Sequence, residues 1–116
     1  EKAKVKKGKA NLTIRLEPTR DILAWAGRSK KKGQVLVGFA LEDKDLRKNA
    51  EEKLQRKNLD LIAANSPAAI AADKSTVWIK AKDTPWQKFA AASKARTAAA
   101  IIKKIETLRK AALCQF

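Results

Sequence analysis

The sequence predicts an α/β fold, a three-layer sandwich in which helices flank both faces of a mostly parallel sheet. Short apolar segments alternate with helical patterns along the chain, an order typical of βαβ units. Two of these segments, residues 35–41 and 59–64, carry one charged residue between them, as strands buried on both faces do. The length of 116 residues predicts one domain.

The beginning of the chain shows a strand pattern followed by a short helix pattern. Leu12, Ile14 and Leu16 alternate with polar residues, which predicts a half-buried strand that Pro18 ends. Thr19 is then the predicted N-cap of a short helix.

A second helix and a second strand follow the apolar run at residues 35–41. Leu46, Ala50 and Leu54 recur at four-residue spacing and form the inner stripe of the helix, which ends at Asn58. Residues 59–64 are the next predicted strand.

The last part of the chain predicts one further strand and a long helix. Residues 76–81 alternate between apolar and polar side chains. Thr84 can cap a helix, Pro85 suits its first position and Gln87 completes a capping box. Apolar residues on one face extend this helix over residues 85–109.

The charge balance indicates an anionic partner. The chain has 27 Lys and Arg against 12 Asp and Glu, a formal net charge of +15. The cations cluster in three places, which are the first ten residues, residues 28–32 and the helix that carries Lys53, Arg56 and Lys57. Nucleic acid, nucleotide phosphates and acidic lipid surfaces are partners of this kind. For any single lysine, a solvated surface position is the alternative.

The residue types that are missing exclude several chemistries. The absence of His removes His-based catalysis and metal binding, and the single Cys, Cys114, cannot form a disulfide framework, so we expect a cytoplasmic protein. No apolar run is long enough to span a membrane. None of the four glycines belongs to a P-loop or a G-x-G-x-x-G turn. The residues therefore predict a basic α/β domain with an incomplete active site or none.

Three segments, taken in order, resemble motifs of one known family. Residues 4–7 read K-V-K-K, residues 34–42 read Q-V-L-V-G-F-A-L-E and residues 56–65 read R-K-N-L-D-L-I-A-A-N. They resemble the K-x-K-K, V-G-F-A-x-E and R-K-x-L-D-x-I-x-A-N motifs of the phosphopantothenoylcysteine synthetase domain of the bacterial coenzyme A biosynthesis flavoprotein. The resemblance covers residues 4 to about 105, and only the carboxy-terminal part of that domain, so it implies a partial Rossmann-like domain over residues 1–116.

The resemblance implies a ligase that joins 4′-phosphopantothenate to cysteine with CTP through an acyl-cytidylate. Lys4 matches the catalytic lysine of K-x-K-K and Lys7 matches its last lysine. A lysine suits an electrostatic clamp on the reacting phosphorus, because its unperturbed pKa of about 10.4 makes it a poor base at neutral pH. The alternative for both residues is a frayed basic terminus.

The same resemblance implies the remaining nucleotide contacts. It puts Phe39 against the cytosine ring and the backbone of the turn of Thr19, Arg20, Asp21 and Ile22 at the base edge. Lys53 and Lys57, which are four apart and so share one helix face, match two lysines that contact the nucleotide. The family's N-P-D-I is T-R-D-I here, a change that contacts through the backbone tolerate. A core aromatic and a solvated helix face are the alternatives for Phe39 and for the two lysines.

The implied ligands and partners complete the set of expectations. Mg²⁺ is expected with the triphosphate and no protein metal site is predicted, while FMN belongs to the usual fused decarboxylase and not to this chain. A homodimer and the missing amino-terminal half of the same domain are the expected protein partners. We expect no membrane association and no specific nucleic acid. The rival interpretations are a non-enzymatic nucleic-acid-binding domain and a regulatory domain that binds nucleotide without chemistry.

Overall fold

The structure is a computed structural model, and it describes residues 11–69 and 73–113. Its helices and strands are, in chain order, α1 (Ile22–Ser29), β1 (Val37–Leu41), α2 (Leu46–Arg56), β2 (Leu61–Asn65), a short 3₁₀ turn (Pro67–Ala69), β3 (Lys74–Ala81), β4 (Gln87–Ser93) and α3 (Lys94–Leu113). Within these ranges, none of the helices combines the length and the apolar character that crossing a bilayer requires.

The described strands form one sheet in the order β1-β2-β3-β4. The pair β1–β2 is parallel, whereas β2–β3 and β3–β4 are antiparallel. The α/β class is confirmed, but the sheet is mixed and the prediction that it is mostly parallel is wrong. The physical reason is connection length, since a parallel crossover needs a dozen or more residues. Only residues 66–73 separate β2 from β3, and a tight turn joins β3 to β4.

Helices cover both faces of the sheet, which confirms the three-layer arrangement. One core lies between the sheet and α2, with Leu54, Leu59 and Ile62 at its centre and Leu23 of α1 packed against it. The other core lies between the sheet and α3, and its buried members include Ile101. The two cores divide the molecule into an α2 face and an α3 face.

The strand predicted around residues 12–16 is not present in the structure. Residues 11–20 adopt no regular structure, and Leu12, Ile14 and Leu16 are 59%, 68% and 84% exposed. Alternation identifies side chains that would suit a half-buried strand, but a strand also needs a neighbour for its backbone hydrogen bonds. Among the described residues no strand pairs with this segment.

The prediction of a long helix that begins at Pro85 is also wrong over the first third of its length. Residues 87–93 form β4, and the Thr84 amide donates to the carbonyl oxygen of Ala81 at 3.1 Å to close a hairpin turn. Asp83 in this turn has a φ of 65°, in the left-handed region. A capping box is a local signal, and pairing with β3 overrides it. The helix α3 starts at Lys94, where the Ser93 hydroxyl accepts from the Arg96 amide at 3.1 Å.

The first two helices agree more closely with the predictions made from the sequence. The predicted stripe of α2 is confirmed, since Ala50 and Leu54 are buried. The N-cap of α1 is Asp21 and not Thr19, because the Asp21 side chain accepts from the Ala24 amide at 3.0 Å. A carboxylate three positions before a helix amide competes well for this role.

Candidate functional site

The candidate site begins where α1 starts and α2 ends. The Nζ atom of Lys57 lies 3.1 Å from Oδ2 of Asp21, and the Lys57 side chain is only 17% exposed. The Ala24 amide, and after it the Lys57 ammonium, lowers the pKa of the Asp21 carboxyl from its ordinary value of 3.8. Asp21 therefore caps α1 and is also the counter-ion of Lys57, which is predicted to bind the nucleotide.

A close backbone contact brings the two helices to this distance. A Cβ atom on Gly27 would lie 1.8 Å from the carbonyl oxygen of Lys57, so only glycine lets α1 approach here. The Asn58 side-chain amide donates to the Gly27 carbonyl oxygen at 2.9 Å. These contacts hold the start of α1 within reach of the Lys57 ammonium.

Lys53, one turn before Lys57 on α2, forms a hydrogen-bonded ion pair with Glu42 directly after β1. Both residues line a groove of about 620 Å³ together with Asn49, Glu52, Gln55 and Arg56. This groove lies beside Lys53 on the α2 face of the molecule. Glu42 was not among the predicted site residues, although it is the glutamate of the V-G-F-A-x-E resemblance, which was the available signal.

Phe39 lies on the other side of the sheet from these lysines. Its ring is 73% exposed and lines a cavity with Ile101, Ile102 and Ile105 of α3. Its neighbours in β1, Gly38 and Ala40, face the α2 core instead. Because β1 is the edge strand of the described sheet, a ligand can reach both faces of the sheet at this strand.

The remaining predicted residues fall into two groups. Thr19, Arg20 and Ile22 are exposed around the start of α1, so the predicted turn is accessible. No contact with another described residue fixes the side chains of these three for ligand binding. Lys4 and Lys7 lie outside the described residues, and their predicted roles stay predictions.

The basic loop at residues 28–32 contains a lysine with a structural role. The Lys30 Nζ atom lies 3.1 Å from both carboxylate oxygens of Asp60 and 2.9 Å from the Asn58 carbonyl oxygen. Asp60 in turn accepts from the Leu36 amide at 2.8 Å. Lys30 therefore anchors the loop to the start of β2, and its charge is balanced within the protein.

The chemistry of these residues suits an anionic ligand. In residues 11–69 and 73–113, no three His, Cys, Asp or Glu side chains gather in a metal-binding group. Lys53 and Lys57 instead offer two ammonium groups, each held by one carboxylate. A phosphate that replaces Glu42 or Asp21 as the partner would meet cations that are already positioned.

The fold and this site define a three-layer α/β domain in which Lys53 of α2 pairs with the glutamate that follows β1, and Lys57 at the end of α2 pairs with Asp21. The chain belongs to the family described as DNA/pantothenate metabolism flavoprotein C-terminal domain, whose model matches residues 1–108. This confirms the resemblance seen in the sequence.

Several curated proteins are similar to the chain. It is 45% identical over 109 residues to a cysteine/cysteine sulfinic acid decarboxylase from an unknown prokaryotic organism, covering 90% of this chain and 30% of that protein. It is 40% identical over 111 residues to the coenzyme A biosynthesis bifunctional protein CoaBC of Bacillus subtilis, covering 92% of this chain and 27% of that protein. The chain thus spans less than a third of the length of these relatives.

Solved structures show the same fold. The C-terminal domain of a CoaBC protein superimposes with a TM-score of 0.72 at 35% identity, covering 84% of this chain and 45% of that chain. A Cab2 H337A mutant in complex with phosphopantothenate-cysteine superimposes with a TM-score of 0.64 at 18% identity, covering 87% of this chain and 33% of that chain. At that identity the second likeness concerns the fold alone.

Proposed function

We propose that the chain supplies the carboxy-terminal part of a ligase that joins 4′-phosphopantothenate to cysteine at the expense of CTP, a step of coenzyme A biosynthesis. The observation that carries the proposal is membership of the family over residues 1–108, together with 40% identity to the Bacillus subtilis bifunctional protein. The position of Lys53, which pairs with Glu42 directly after β1, supports it, because ligands of α/β sheets bind beyond this end of the strands.

In the proposed reaction the phosphopantothenate carboxylate attacks the α-phosphorus of CTP. An acyl-cytidylate forms and pyrophosphate leaves; the cysteine amine then attacks the acyl carbon and CMP leaves. Negative charge builds on the phosphoryl oxygens in the first step, and fixed cations stabilise that charge. Lys4 is the proposed clamp on the α-phosphate, with Lys7 beside it.

The described residues fit the rest of the nucleotide as follows. Lys53 and Lys57 bind phosphate oxygens on the α2 face, and Phe39 stacks on the cytosine from the α3 side of β1. The exposed turn of Thr19, Arg20, Asp21 and Ile22 reads the base edge through its backbone. The nucleotide then crosses the carboxyl end of β1.

The proposed ligands and partners follow from the same reaction. Mg²⁺ arrives with the triphosphate and is held by phosphate oxygens, since triphosphates bind this ion themselves. FMN is assigned to a fused decarboxylase domain outside this chain. We also propose a cytoplasmic homodimer whose active site needs the amino-terminal part of the domain, because this chain has no glycine-rich turn of its own.

The test is a pyrophosphate-release assay with phosphopantothenate, cysteine and CTP. The 116-residue chain alone should be inactive, since positioning two reactants contributes roughly 7–11 kcal/mol and half a site lacks it. The chain mixed with a separately produced amino-terminal part of the domain should release pyrophosphate only when CTP and phosphopantothenate are both present. Appreciable turnover by the chain alone would contradict the proposed division of the site.

A further inference from the structure

The two lysines of the candidate site differ in which member of each ion pair meets the solvent. In the pair between Lys57 and Asp21, the lysine side chain is 17% exposed and the aspartate side chain is 50% exposed. In the pair between Lys53 and Glu42 the order is reversed, with the lysine 34% exposed and the glutamate 12% exposed. A ligand that approaches from solvent therefore meets the carboxylate first at Lys57 and the ammonium group first at Lys53.

The backbone holds Glu42 at the carboxyl end of β1. Its amide donates to the carbonyl oxygen of Asn65 at 3.0 Å, which continues the hydrogen bonds between β1 and β2 one residue beyond Leu41. Its side chain is largely buried, and Lys53 is the partner that the described part of the chain provides for its carboxylate. Removing the cation from a carboxylate that is largely withdrawn from water is costly, so burial favours an ion pair that stays intact.

The Lys53 ammonium group has hydrogen-bonding capacity left for a ligand. A lysine carries three N–H donors, and one of them suffices for the carboxylate oxygen of Glu42. Lys53 also lines the groove of about 620 Å³ on the α2 face, so its other donors are accessible to a phosphate that enters the groove. A phosphate can thus bind Lys53 without displacing Glu42, whereas it must displace Asp21 to bind Lys57.

We propose that Glu42 is a positioning residue of the ligase reaction, which stays bonded to Lys53 and fixes its ammonium group on a phosphate of CTP while the acyl-cytidylate forms. This rests on the proposed function, in which Lys53 binds the nucleotide. A free lysine side chain samples many rotamers, and the ion pair removes that freedom before the nucleotide arrives. The lysine–glutamate pair of protein kinases, which must be in place for phosphoryl transfer, is a precedent for this arrangement.

The retained ion pair predicts an effect on rate that exceeds the effect on affinity. Without the charge of Glu42, a phosphate at Lys53 loses a repulsive neighbour, which favours binding. The ammonium group also loses its fixed position, which opposes binding, so the two effects on CTP affinity have opposite signs. In the reaction step the position dominates, because a small misplacement of the reacting groups slows turnover about 10²-fold.

The experiment compares Glu42→Gln with Asp43→Asn in the assembled domain. Asp43 is the next residue and is exposed, so its variant removes the same charge at almost the same place. Glu42→Gln should slow single-turnover pyrophosphate release about 10- to 100-fold and change CTP affinity less than about threefold. Asp43→Asn should change either quantity less than about twofold. Equal effects of the two variants, or a gain in CTP affinity without a loss in rate, would overturn the proposal.

A double-mutant cycle separates positioning from a structural role. In a Lys53→Gln background, Glu42→Gln should slow pyrophosphate release no further, because Glu42 acts through the lysine. A second loss of the same size would assign Glu42 a different role and contradict the proposal. Circular dichroism and urea midpoints check that each variant is folded.

A measurement on the 116-residue chain itself needs neither a variant nor the reaction. With inorganic triphosphate as the probe, NMR measures the coupling across the hydrogen bond from the Lys53 Nζ nitrogen to the Glu42 carboxylate carbon. Triphosphate should shift the Lys53 resonances and leave this coupling in place. A coupling that disappears at saturation, or Lys53 resonances that do not move, would refute the proposal. If the coupling persists but the wild-type assembled domain releases no pyrophosphate, the proposed function alone is wrong.

Discussion

The Nζ atom of Lys57 lies 3.1 Å from Oδ2 of Asp21, so the end of α2 is tied to the start of α1 by two residues that both belong to the candidate site. The ion pair positions the lysine and also competes with any anion for it. An anionic ligand that binds Lys57 must therefore replace Asp21 as the partner of this lysine.

Replacing Lys57 should weaken nucleotide binding. In the assembled domain, Lys57→Gln should lower CTP affinity roughly 10- to 150-fold, because a hydrogen bond to a charged group contributes about 1.5–3 kcal/mol. Asp21→Asn should raise the affinity, since it removes the competing charge and keeps the helix cap. Titration calorimetry measures both, with Lys48→Gln at an exposed position of α2 as the control. If the Lys48 variant loses as much affinity as the Lys57 variant, the lysine acts only through net charge.

The helix-cap hydrogen bond from Ala24 and the ion pair with Lys57 together predict a pH dependence of stability. The folded-state pKa of Asp21 is lowered from 3.8, so its stabilising contribution is present above pH 3.8 and is lost as the pH falls through the folded pKa. The difference in urea midpoint between the wild-type chain and Asp21→Asn should shrink below pH 3.8 and vanish at lower pH. A difference that stays constant down to pH 2 would show that the carboxylate charge is not involved.

Adding one methyl group at Gly27 should disturb both stability and the site. The Cβ atom of Gly27→Ala would lie 1.8 Å from the Lys57 carbonyl oxygen, which is backbone and cannot move aside without displacing α2. Overpacking of this kind costs about 1–3 kcal/mol or more, measurable as a lower urea midpoint. Ser29→Ala, an exposed position of the same helix, should leave the midpoint within about 0.5 kcal/mol.

The clamp role of Lys4 predicts a loss in rate that exceeds the loss in binding. In the assembled domain, Lys4→Gln should slow amide formation on the order of 10²–10³-fold, the scale for removing one preorganised donor. CTP affinity should change much less, because the stabilised charge develops after binding. Single-turnover kinetics separates the two effects, and equal losses would mean that Lys4 only holds the ground-state triphosphate.

Affinity for duplex DNA should be electrostatic and without sequence preference. Among the described residues, the aromatic side chains do not line one basic groove. Arg47 and Lys88 lie 4.6 Å and 5.5 Å from the centre of the Trp78 ring, and the Trp86 indole donates to Glu51 at 3.4 Å. Binding measured across salt concentrations should fall steeply and equally for all sequences. Sequence-selective binding that survives about 0.2 M salt would favour the nucleic-acid interpretation over the ligase.

Local patterns predicted the elements whose signals lie within a few residues of each other. The stripe of α2 and the buried run that becomes β2 needed only spacing and composition, and both are present. The motif order also predicted the family, which the match over residues 1–108 confirms. The same local signals failed at residues 12–16 and 85–93, where the outcome depends on whether a neighbouring strand is available.

The sequence by itself determined the α/β class, the basic character and the residues that could bind an anion, because each depends on residue type and short-range spacing. Only the tertiary structure decided the strand directions, the pairing of Lys57 with Asp21 and of Lys53 with Glu42, and the position of Phe39 on the opposite face of the sheet. These features join residues that are far apart along the chain, and they follow from how the layers pack and how long the connections are. Successive side chains of a strand point to opposite faces of the sheet. The motif could therefore identify Phe39 as a candidate residue, but it could not show that Phe39 and the lysines lie on opposite faces.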